Sequence, residues 1–234
     1  MLRVVFWGME LRILDALRQW SVSIVGVYLP QAPYSIHKQI SPIAKWMPRI
    51  IRKAFKKAAL YRPLADYIKD HGLKPILGAD VNRSGFLREI RALDPDLGIV
   101  ANFGQIISPE LLSIPKNGFI NFHPSILPYY RGPNPLGDIL LNREAVSGAT
   151  WHRIIKGIDS GDIVAQECFA VQAEDTLRDL EERSVAYGIK ILKPLLKEIE
   201  TGAVQGQPQN GSKATYVSKL TREKKKRLRM LGKF

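Results

Sequence analysis

The feature that most constrains the fold is a strand–helix–strand pattern at the start of the chain. Residues 2–7 form a β-rich apolar run that ends at Gly8, and residues 9–20 then carry apolar side chains at helical spacing. A second β-branched run covers residues 22–28. Because parallel strands need a crossover helix between them, this order predicts a βαβ unit within a parallel sheet.

The same alternation continues along the chain. Further strands are predicted at residues 75–77, 97–101, 118–123, 148–155 and 163–169, and a small one at 215–220. Further helices are predicted at residues 41–70, with interruptions at Pro48 and Pro63, and at 82–92, 109–112, 133–142 and 176–202. The predicted class is therefore α/β, a doubly wound and mostly parallel sheet over residues 1–203. Residues 204–234 form a short C-terminal extension whose basic last twelve residues are either frayed or helical.

Composition excludes several classes of protein. The single cysteine, Cys168, excludes a disulfide framework and a cysteine-only metal site. No apolar run approaches about eighteen residues, so no membrane span is predicted, and the start of the chain lacks the features of a signal peptide. We therefore expect a cytoplasmic protein. Only Gly8 follows the first strand, where NAD- and ATP-binding motifs need several glycines, so neither cofactor is expected.

The chain is strongly basic, with a formal net charge of +13. Residues 45–57 hold six cations and residues 222–233 hold seven. Such an excess favours anionic partners, namely nucleotides, nucleic acid or an acidic membrane surface, but a solvated surface explains it equally well. The role of the two basic segments stays open at this point.

The chemistry is concentrated in residues 118–170. Asn121 and His123 are two residues apart on a predicted strand, so both side chains project from the same face near its carboxyl end. His152 follows on the next predicted strand, and Asp159 comes seven residues later at a glycine-containing turn. An amide, an imidazole and a carboxylate can together perform acyl transfer. Taken singly, each of these residues is better explained by a structural role.

The residues around these positions resemble the motif of a known family. The pattern consists of Asn121, His123, Ser125, Leu127, Pro128, Arg131 and Gly132, followed by Asp159, Ser160 and Gly161. It resembles the folate-dependent formyltransferases, a family that includes methionyl-tRNA formyltransferase, glycinamide ribonucleotide transformylase and the sugar N-formyltransferases. The resemblance is clear over residues 76–170 and implies a Rossmann-like formyltransferase fold.

This resemblance implies a reaction and the residues that carry it. The expected reaction transfers a formyl group from the co-substrate 10-formyltetrahydrofolate to a primary amine, without a metal. Asn121, His123 and Asp159 match the family's catalytic trio. Asn121 and a protonated His123 would stabilise the oxyanion, while Asp159 would keep His123 charged and help to pass protons. His152 matches a histidine that supports the aspartate in the purine and sugar branches, and Ser125 is expected to support the trio.

Two segments resemble those that hold the folate in this family. In the first, which follows the predicted strand at 97–101, the expected contacts are Phe103, Gln105, Ile106 and Ile107. In the second, which follows the strand that carries His152, the expected contacts are Ile155, Lys156, Gly157 and Ile158. The resemblance implies that the backbone of this second segment reads the edge of the pterin ring.

Three acceptors compete. The purine branch carries a Gly-Ser-Asn phosphate loop after its first strand, where this chain has Gly8, Met9 and Glu10. The tRNA branch adds a C-terminal β-barrel, for which the thirty-two residues after Gly202 are too few. The stretch around His152 resembles the sugar branch. We therefore expect an anionic, nucleotide-linked amino-sugar as the acceptor, with methionyl-tRNA as the alternative.

Two other functions are compatible with the same scaffold. A non-catalytic nucleic-acid or membrane-binding module would use the basic segments without turnover, since a fold alone does not establish a function. A folate hydrolase would use a similar trio with water in place of the amine. The sequence leaves the oligomeric state open, including a homodimer.

Overall fold

The computed structural model describes residues 1–30 and 49–234, and for residues 49–59 it describes the backbone alone. The strands in this part of the chain are β1 Leu2–Gly8, β2 Val22–Pro30, β3 Pro75–Gly78, β4 Leu97–Ala101, β5 Phe119–His123, β6 Val146–Arg153 and β7 Ile163–Ala170. The helices are α1 Leu11–Gln19, α2 Arg49–Asp70, α3 Ser84–Ala92, α4 Pro109–Leu112, α5 Pro135–Leu141, α6 Leu177–Thr201 and α7 Arg222–Met230. Of the basic segment 45–57, the first four residues and all side chains lie outside the described residues.

The strands join one seven-stranded sheet in the order β3-β2-β1-β4-β5-β6-β7. The first five strands pair in parallel, whereas β6 runs antiparallel to both β5 and β7. The strand order reverses between β1 and β4, and sheets of this kind bind ligands outside the carboxyl ends of the strands at such a point. The predicted class, a doubly wound and mostly parallel α/β sheet, is confirmed.

Helices cover both faces of the sheet. β4 is buried along its whole length, and its alternate residues point to opposite sides. On one side Ile99 and Ala101 pack with residues of α1, α2 and α6, and on the other Val100 packs with residues of α3 and α4. The sheet is thus a covered layer that holds the residues at its strand ends in fixed positions. In the described ranges, no helix is long and apolar enough to cross a membrane.

α2 differs from the prediction at Pro63, which lies inside the helix and does not interrupt it. Proline removes one backbone hydrogen bond and crowds the preceding turn, and packing can offset that loss. Leu64, Ala65 and Ile68 follow it and are all buried. Burial on this side holds the helix against the sheet despite the proline. The other predicted interruption, Pro48, lies outside the described residues.

The extension, residues 204–234, returns to the larger part of the chain at several points. Gln207 forms an antiparallel bridge with Ile163 of β7. The last residues form α7, one of the two outcomes expected for them, and Leu228 on this helix is fully buried in a cluster with Leu136 of α5. The division between residues 203 and 204 stays a prediction.

The predicted strand at residues 215–220 is wrong. This stretch makes a single parallel bridge, between Tyr216 and Arg131. Its neighbour is the turn after β5, in which Gly132 has a φ of +104°. Because that backbone leaves the extended conformation at once, the pairing cannot continue into a ladder.

Candidate active site

β5 presents two polar side chains near its carboxyl end. Asn121 and His123 alternate with Phe122, whose ring centroid lies 5.5 Å from that of Trp151 on β6. β6 runs antiparallel beside β5 and places His152 opposite Asn121. As predicted from their spacing, Asn121 and His123 project from the same face of β5. The pairing of β5 with β6 brings His152 beside them.

Asp159 lies in the turn between β6 and β7 and faces both histidines. Its Oδ2 is 3.6 Å from Nδ1 of His123, and its Oδ1 is 3.4 Å from Nε2 of His152. The backbone N–H of Gly132 donates to Oδ2 at 2.8 Å. The φ of Asp159 is +45°, in the left-handed region that residues with a side chain rarely adopt. Residues far apart in the sequence are thus gathered around one carboxylate.

His152 orients the amide of Asn121. The Nδ2 atom of Asn121 is 3.1 Å from Nε2 of His152 and 3.4 Å from Oδ1 of Asp159. On the other side of the ring, Nδ1 of His152 is 2.9 Å from the carbonyl oxygen of Arg153. Because a carbonyl only accepts, Nδ1 carries a proton, while Nε2 faces both the Asn121 amide and the Asp159 carboxylate.

His123 is only 3% exposed. Its Nε2 lies 2.9 Å from the carbonyl oxygen of Tyr130, which places a proton on Nε2 and turns Nδ1 toward Asp159. Burial lowers the pKa of His123, and the opposing charge of Asp159 does not restore it. The lowered pKa favours the neutral form of His123, and the expectation that Asp159 keeps it charged stays a prediction.

Asp159 is ionised over a wide range of pH. Burial by itself raises the pKa of Asp159, but the hydrogen bond with His152, the positive charge of either histidine when it is protonated and the N–H of Gly132 outweigh it. Together they hold the pKa well below its ordinary value of 3.8. The site therefore combines a charged carboxylate with an imidazole whose neutral form, favoured by burial, can accept a proton.

Ser125 stabilises the turn that follows β5. Its hydroxyl donates to the carbonyl oxygen of Tyr129 at 2.9 Å, and its own carbonyl accepts from the Thr150 hydroxyl at 2.6 Å. The Ser125 N–H donates to the carbonyl oxygen of His123 at 2.9 Å. Its side chain bonds to the turn and to none of the trio, so the support that Ser125 supplies is structural.

The first predicted folate segment is anchored by its polar and aromatic side chains. The ring of Phe103 packs edge-on against Trp7 and Tyr28, with centroid distances of 5.7 and 5.3 Å. Gln105 donates from Nε2 to the hydroxyl of Tyr28 at 2.8 Å, and its Oε1 accepts from the N–H of Val81 at 3.4 Å. These contacts fasten the segment beside the switch point of the sheet.

The middle of this segment faces solvent. Ile106 is 88% exposed, whereas the neighbouring Ile107 is buried in the core. Asn82 donates to the carbonyl oxygen of Ile106 at 2.9 Å and accepts from the N–H of Ser108 at 2.8 Å, so the exposed residue lies on a fixed backbone. An apolar side chain held in water in this way is available to a ligand.

The second predicted folate segment, residues 155–158, precedes Asp159 and is exposed throughout, including Lys156. Ile155 and Ile158 are 49% and 62% exposed. Gly157 has a φ of +123°, and a Cβ there would lie 2.5 Å from Oγ of Ser160. The tight backbone thus requires glycine and leaves two apolar side chains uncovered.

Comparison with known proteins identifies the family. The family model described as Formyl transferase matches residues 53–194, more than half of the chain. The methionyl-tRNA formyltransferase of Chloroflexus aggregans is 34% identical over 227 residues, which cover 95% of this chain and 67% of that protein. The chain belongs to the formyl transferase family.

Two further proteins are similar to this chain. The methionyl-tRNA formyltransferase of Thermotoga maritima is 29% identical over 226 residues, covering 95% of this chain and 66% of that protein. The crystal structure of the N-formyltransferase from Helicobacter canadensis, with folinic acid and dTDP-3-aminofucose, has a TM-score of 0.64 at 23% identity over 94% of this chain and 71% of that one. The second likeness concerns the fold. The chain spans about half to two thirds of the length of the curated relatives it matches.

Three groups that contact the trio were not indicated by the sequence. They are the carbonyl of Tyr130, the N–H of Gly132 and the side chain of Gln209, which donates to the carbonyl oxygen of Asp159 at 2.9 Å. The first two are backbone groups, whose positions depend on the turn and not on residue type. Gln209 is fifty residues from Asp159, and no local pattern relates such a pair.

A cavity of about 420 Å³ lies beside the turn that follows β5, and no side chain of the trio lines it. Tyr130, whose carbonyl contacts His123, lines it together with Tyr129, Tyr216 and Lys224 among others. A volume of this order suits a small organic ligand. In the part of the chain that is described, no cluster of three or more His, Cys, Asp or Glu residues is arranged to hold a metal ion.

Proposed function

We propose that this protein transfers a formyl group from 10-formyltetrahydrofolate to a primary amine. The observation that carries the proposal is the Asp159 carboxylate, which lies 3.6 Å from His123 and 3.4 Å from His152 while the Asn121 amide contacts it. This arrangement supplies a hydrogen-bond donor, a charged proton acceptor and a neutral histidine at one point. Acyl transfer needs these three groups.

Asn121 is the donor to the formyl oxygen. When the amine attacks the formyl carbon, that oxygen gains negative charge, and an N–H of Asn121 turned toward it stabilises the charge. In the substrate-free protein the same amide is directed at His152 and Asp159. In the reaction, one N–H of Asn121 gives up its contact with His152 or Asp159 and donates to the formyl oxygen instead.

Asp159 and His123 move the proton. As the new N–C bond forms, the amine nitrogen becomes acidic and gives a proton to Asp159, from which Nδ1 of His123, 3.6 Å away, takes it. The resulting imidazolium is stabilised by the adjacent carboxylate. When the bond between the formyl carbon and the folate nitrogen breaks, the proton goes to that nitrogen. The products are a formamide and tetrahydrofolate.

The two exposed apolar segments suit the folate. Ile106 is 88% exposed and Ile158 is 62% exposed, and a planar ring that covered them would remove apolar surface from water. The tight backbone at Gly157 leaves room for the ring edge to approach the main chain. The folinic acid in the Helicobacter canadensis structure supports a folate on this fold.

For the acceptor we propose a nucleotide-linked amino-sugar. His152 contacts Asp159, as the resemblance to the sugar branch implies. The Helicobacter canadensis structure holds dTDP-3-aminofucose, and the net charge of +13 suits an anionic acceptor. The cavity beside Tyr130 is the proposed place for this molecule, because it opens next to the residue that contacts His123.

A second candidate acceptor is methionyl-tRNA. The relatives from Chloroflexus aggregans and Thermotoga maritima are methionyl-tRNA formyltransferases. In addition, α7 exposes Arg222, Lys226 and Arg227, and none of the described residues forms an ion pair with them. Exposed cations of this kind suit the phosphates of a nucleic acid.

A panel of acceptors tests both candidates. The protein is incubated with 10-formyltetrahydrofolate and an amino-sugar nucleotide, methionyl-tRNA, glycinamide ribonucleotide or no acceptor, and release of tetrahydrofolate is followed. We expect release with an amino-sugar nucleotide and none without an acceptor. Release with methionyl-tRNA alone would replace the sugar by the second candidate, and release without an acceptor would indicate a hydrolase. If no tetrahydrofolate is released under any of these conditions, the result would contradict formyl transfer and favour a non-catalytic binding module.

A charge variant of α7 serves as the control for this panel. Replacing Arg222, Lys226 and Arg227 together by glutamine removes three exposed cations without touching the trio. Transfer to an amino-sugar nucleotide is expected to stay unchanged. Transfer to methionyl-tRNA would instead weaken and become less sensitive to salt, because fewer phosphates would be neutralised.

A further inference from the structure

Gln209 of the extension holds the backbone of the turn that carries Asp159. Its Nε2 donates to the carbonyl oxygen of Asp159 at 2.9 Å and to that of Gly161 at 2.7 Å. Both N–H bonds of one amide are therefore directed at the same turn. The first of these carbonyls belongs to Asp159, whose φ of +45° is a conformation that the rest of the structure has to impose.

Arg131 holds the other end of the Gln209 side chain. The guanidinium donates from Nε and Nη2 to Oε1 of Gln209, at 3.1 and 2.8 Å. Its Nη1 donates to the hydroxyl of Tyr216 at 3.0 Å. Arg131 is 5% exposed, and among the described residues no carboxylate pairs with it. With donors on one side and acceptors on the other, the Gln209 amide has a single orientation.

These contacts close a ring around Asp159. The residue next to Arg131 is Gly132, whose N–H donates to Oδ2 of Asp159 at 2.8 Å. The extension fixes this part too, because Val217 donates its N–H to the carbonyl of Arg131 at 2.8 Å. A Cβ on Gly132 would lie 2.5 Å from the carbonyl oxygen of Val217, so the two backbones pass as closely as glycine allows.

We propose that Gln209 is a positioning residue for the formyl transfer: through it, the extension sets the angle at which Asp159 faces His123 and His152. This inference rests on the proposed function of the trio. It assigns to the extension a part in the active site, because the side chain of Asp159 is held by Gly132 and its main chain is held by Gln209.

Two variants of Gln209 test the proposal. Gln209→Met has nearly the same length and no charge but lacks both the donors and the acceptor, and Gln209→Glu keeps an acceptor for Arg131 while losing the donors to the turn. We expect kcat to fall by about ten- to a hundredfold in both, with the KM for the folate unchanged, because small displacements of a catalytic group have effects of this order. Wild-type kcat in either variant would overturn the proposal.

Gln207→Ala is the matched control. Gln207 lies on the same segment, its side chain is exposed, and its bridge to Ile163 uses only backbone atoms. Thermal unfolding of all variants is measured first, and rates are compared at a temperature at which every protein is folded. We expect Gln207→Ala to match the wild type in kcat, and an equal loss of kcat in it would assign the effect to the segment and not to Gln209.

The dependence of kcat on pH distinguishes a positioning role of Gln209 from an effect on stability. The informative part is the acid limb, where kcat falls as the pH is lowered. His123 has to be neutral to take up the proton, and the charge of Asp159 raises the pKa of His123, so a displaced Asp159 is expected to move the limb of Gln209→Met. A loss of stability alone leaves the limb in place. An unmoved limb would therefore overturn the proposal.

A measurement without substrate keeps this inference distinct from the proposed function. The chain has four histidines, so the ring signals of His123 and His152 can be assigned by substitution and titrated by NMR. We expect the His123 titration to change in Gln209→Met and not in Gln207→Ala. If the wild type formylates no acceptor, the proposed function fails, whereas unchanged titration in Gln209→Met would overturn the positioning role whatever the activity.

Discussion

At the residue scale, two opposing effects set the pKa of the buried His123, namely its burial and the charge of Asp159. Burial lowers its pKa from the ordinary value of 6.5, and Asp159 at 3.6 Å counteracts this only in part. A buried neutral histidine suits the proposed mechanism, because it can take up the proton that the amine loses. The same property affects the stability of the folded protein.

The free energy of unfolding is expected to fall as the pH drops below about 6.5. With a folded-state pKa below that of the unfolded chain, His123 stays neutral in the fold while the unfolded chain gains a proton, at a cost of up to about 1.4 kcal/mol per pH unit. The depressed pKa of Asp159 acts in the same direction, but its contribution is present above the ordinary value of 3.8 and is lost only as the pH falls below it. Urea unfolding between about pH 7.5 and 5.5 measures the slope.

Two histidine variants decide whether His123 is the source of this slope. His123→Gln is expected to reduce it, whereas His71→Gln, at an exposed position, is expected to keep it. An unchanged slope in His123→Gln would show that the pH dependence arises elsewhere.

At the residue scale, the sequence allowed the trio to be predicted and not its protonation. The period of a strand predicts that Asn121 and His123 share a face, and the family motif then joins them with Asp159 in a trio. The pKa of His123 depends on burial, which lowers it, and on the Tyr130 carbonyl, which raises it, and both are results of tertiary packing. Gln209 could not be predicted, because its partners lie about fifty residues earlier in the chain.

At the scale of elements, Gly188 controls how closely α6 packs on the strands that carry the trio. A Cβ at this position would lie 2.4 Å from the ring of Phe122, and the Gly188 carbonyl accepts from the indole of Trp151 at 2.9 Å. Alanine would gain about 1 kcal/mol of helix propensity. Overpacking against a buried ring costs about 1–3 kcal/mol, so the cost outweighs the gain.

Gly188→Ala is therefore expected to destabilise the protein by about 1 kcal/mol and to lower kcat, because Phe122 lies between Asn121 and His123. Gly85→Ala in α3 is the control, since a Cβ there would meet only Nη2 of Arg88, at 3.8 Å. This control is expected to be stabilising by about 0.5 kcal/mol and fully active. Denaturant unfolding and initial rates compare the two, and a Gly188→Ala protein that matched Gly85→Ala in both would contradict the packing argument.

The elements themselves differ in how well local sequence determines them. β4 and α4, for example, lie at the predicted residues, because burial of β4 and the Ser108 cap of α4 reinforce their local preference. Pro63 fails to end α2, since packing of the residues after it overrides the local signal. Residues 215–220 have the composition of a strand but find a turn as their neighbour.

At the scale of the whole molecule, the sheet order follows from the alternation of elements, whereas the path of the extension does not. Each βαβ unit can be predicted from patterns within about thirty residues. The extension instead contacts β7, the turn after β5 and α5, which are far away in sequence. From the sequence, the extension is predicted only as a polar loop with a basic tail. In the structure it lies against the residues of the candidate active site.

The central claim is that the Asp159 carboxylate drives formyl transfer together with Asn121 and His123. Asp159→Asn is nearly isosteric and removes the charge and the proton-accepting capacity, so kcat with 10-formyltetrahydrofolate and an accepted amine is expected to fall by about a hundred- to ten-thousandfold. Asp162→Asn makes the same change on the same turn, at a side chain that does not contact the trio, and is expected to keep its activity. A folded Asp159→Asn protein that turns over at the wild-type rate would contradict the account.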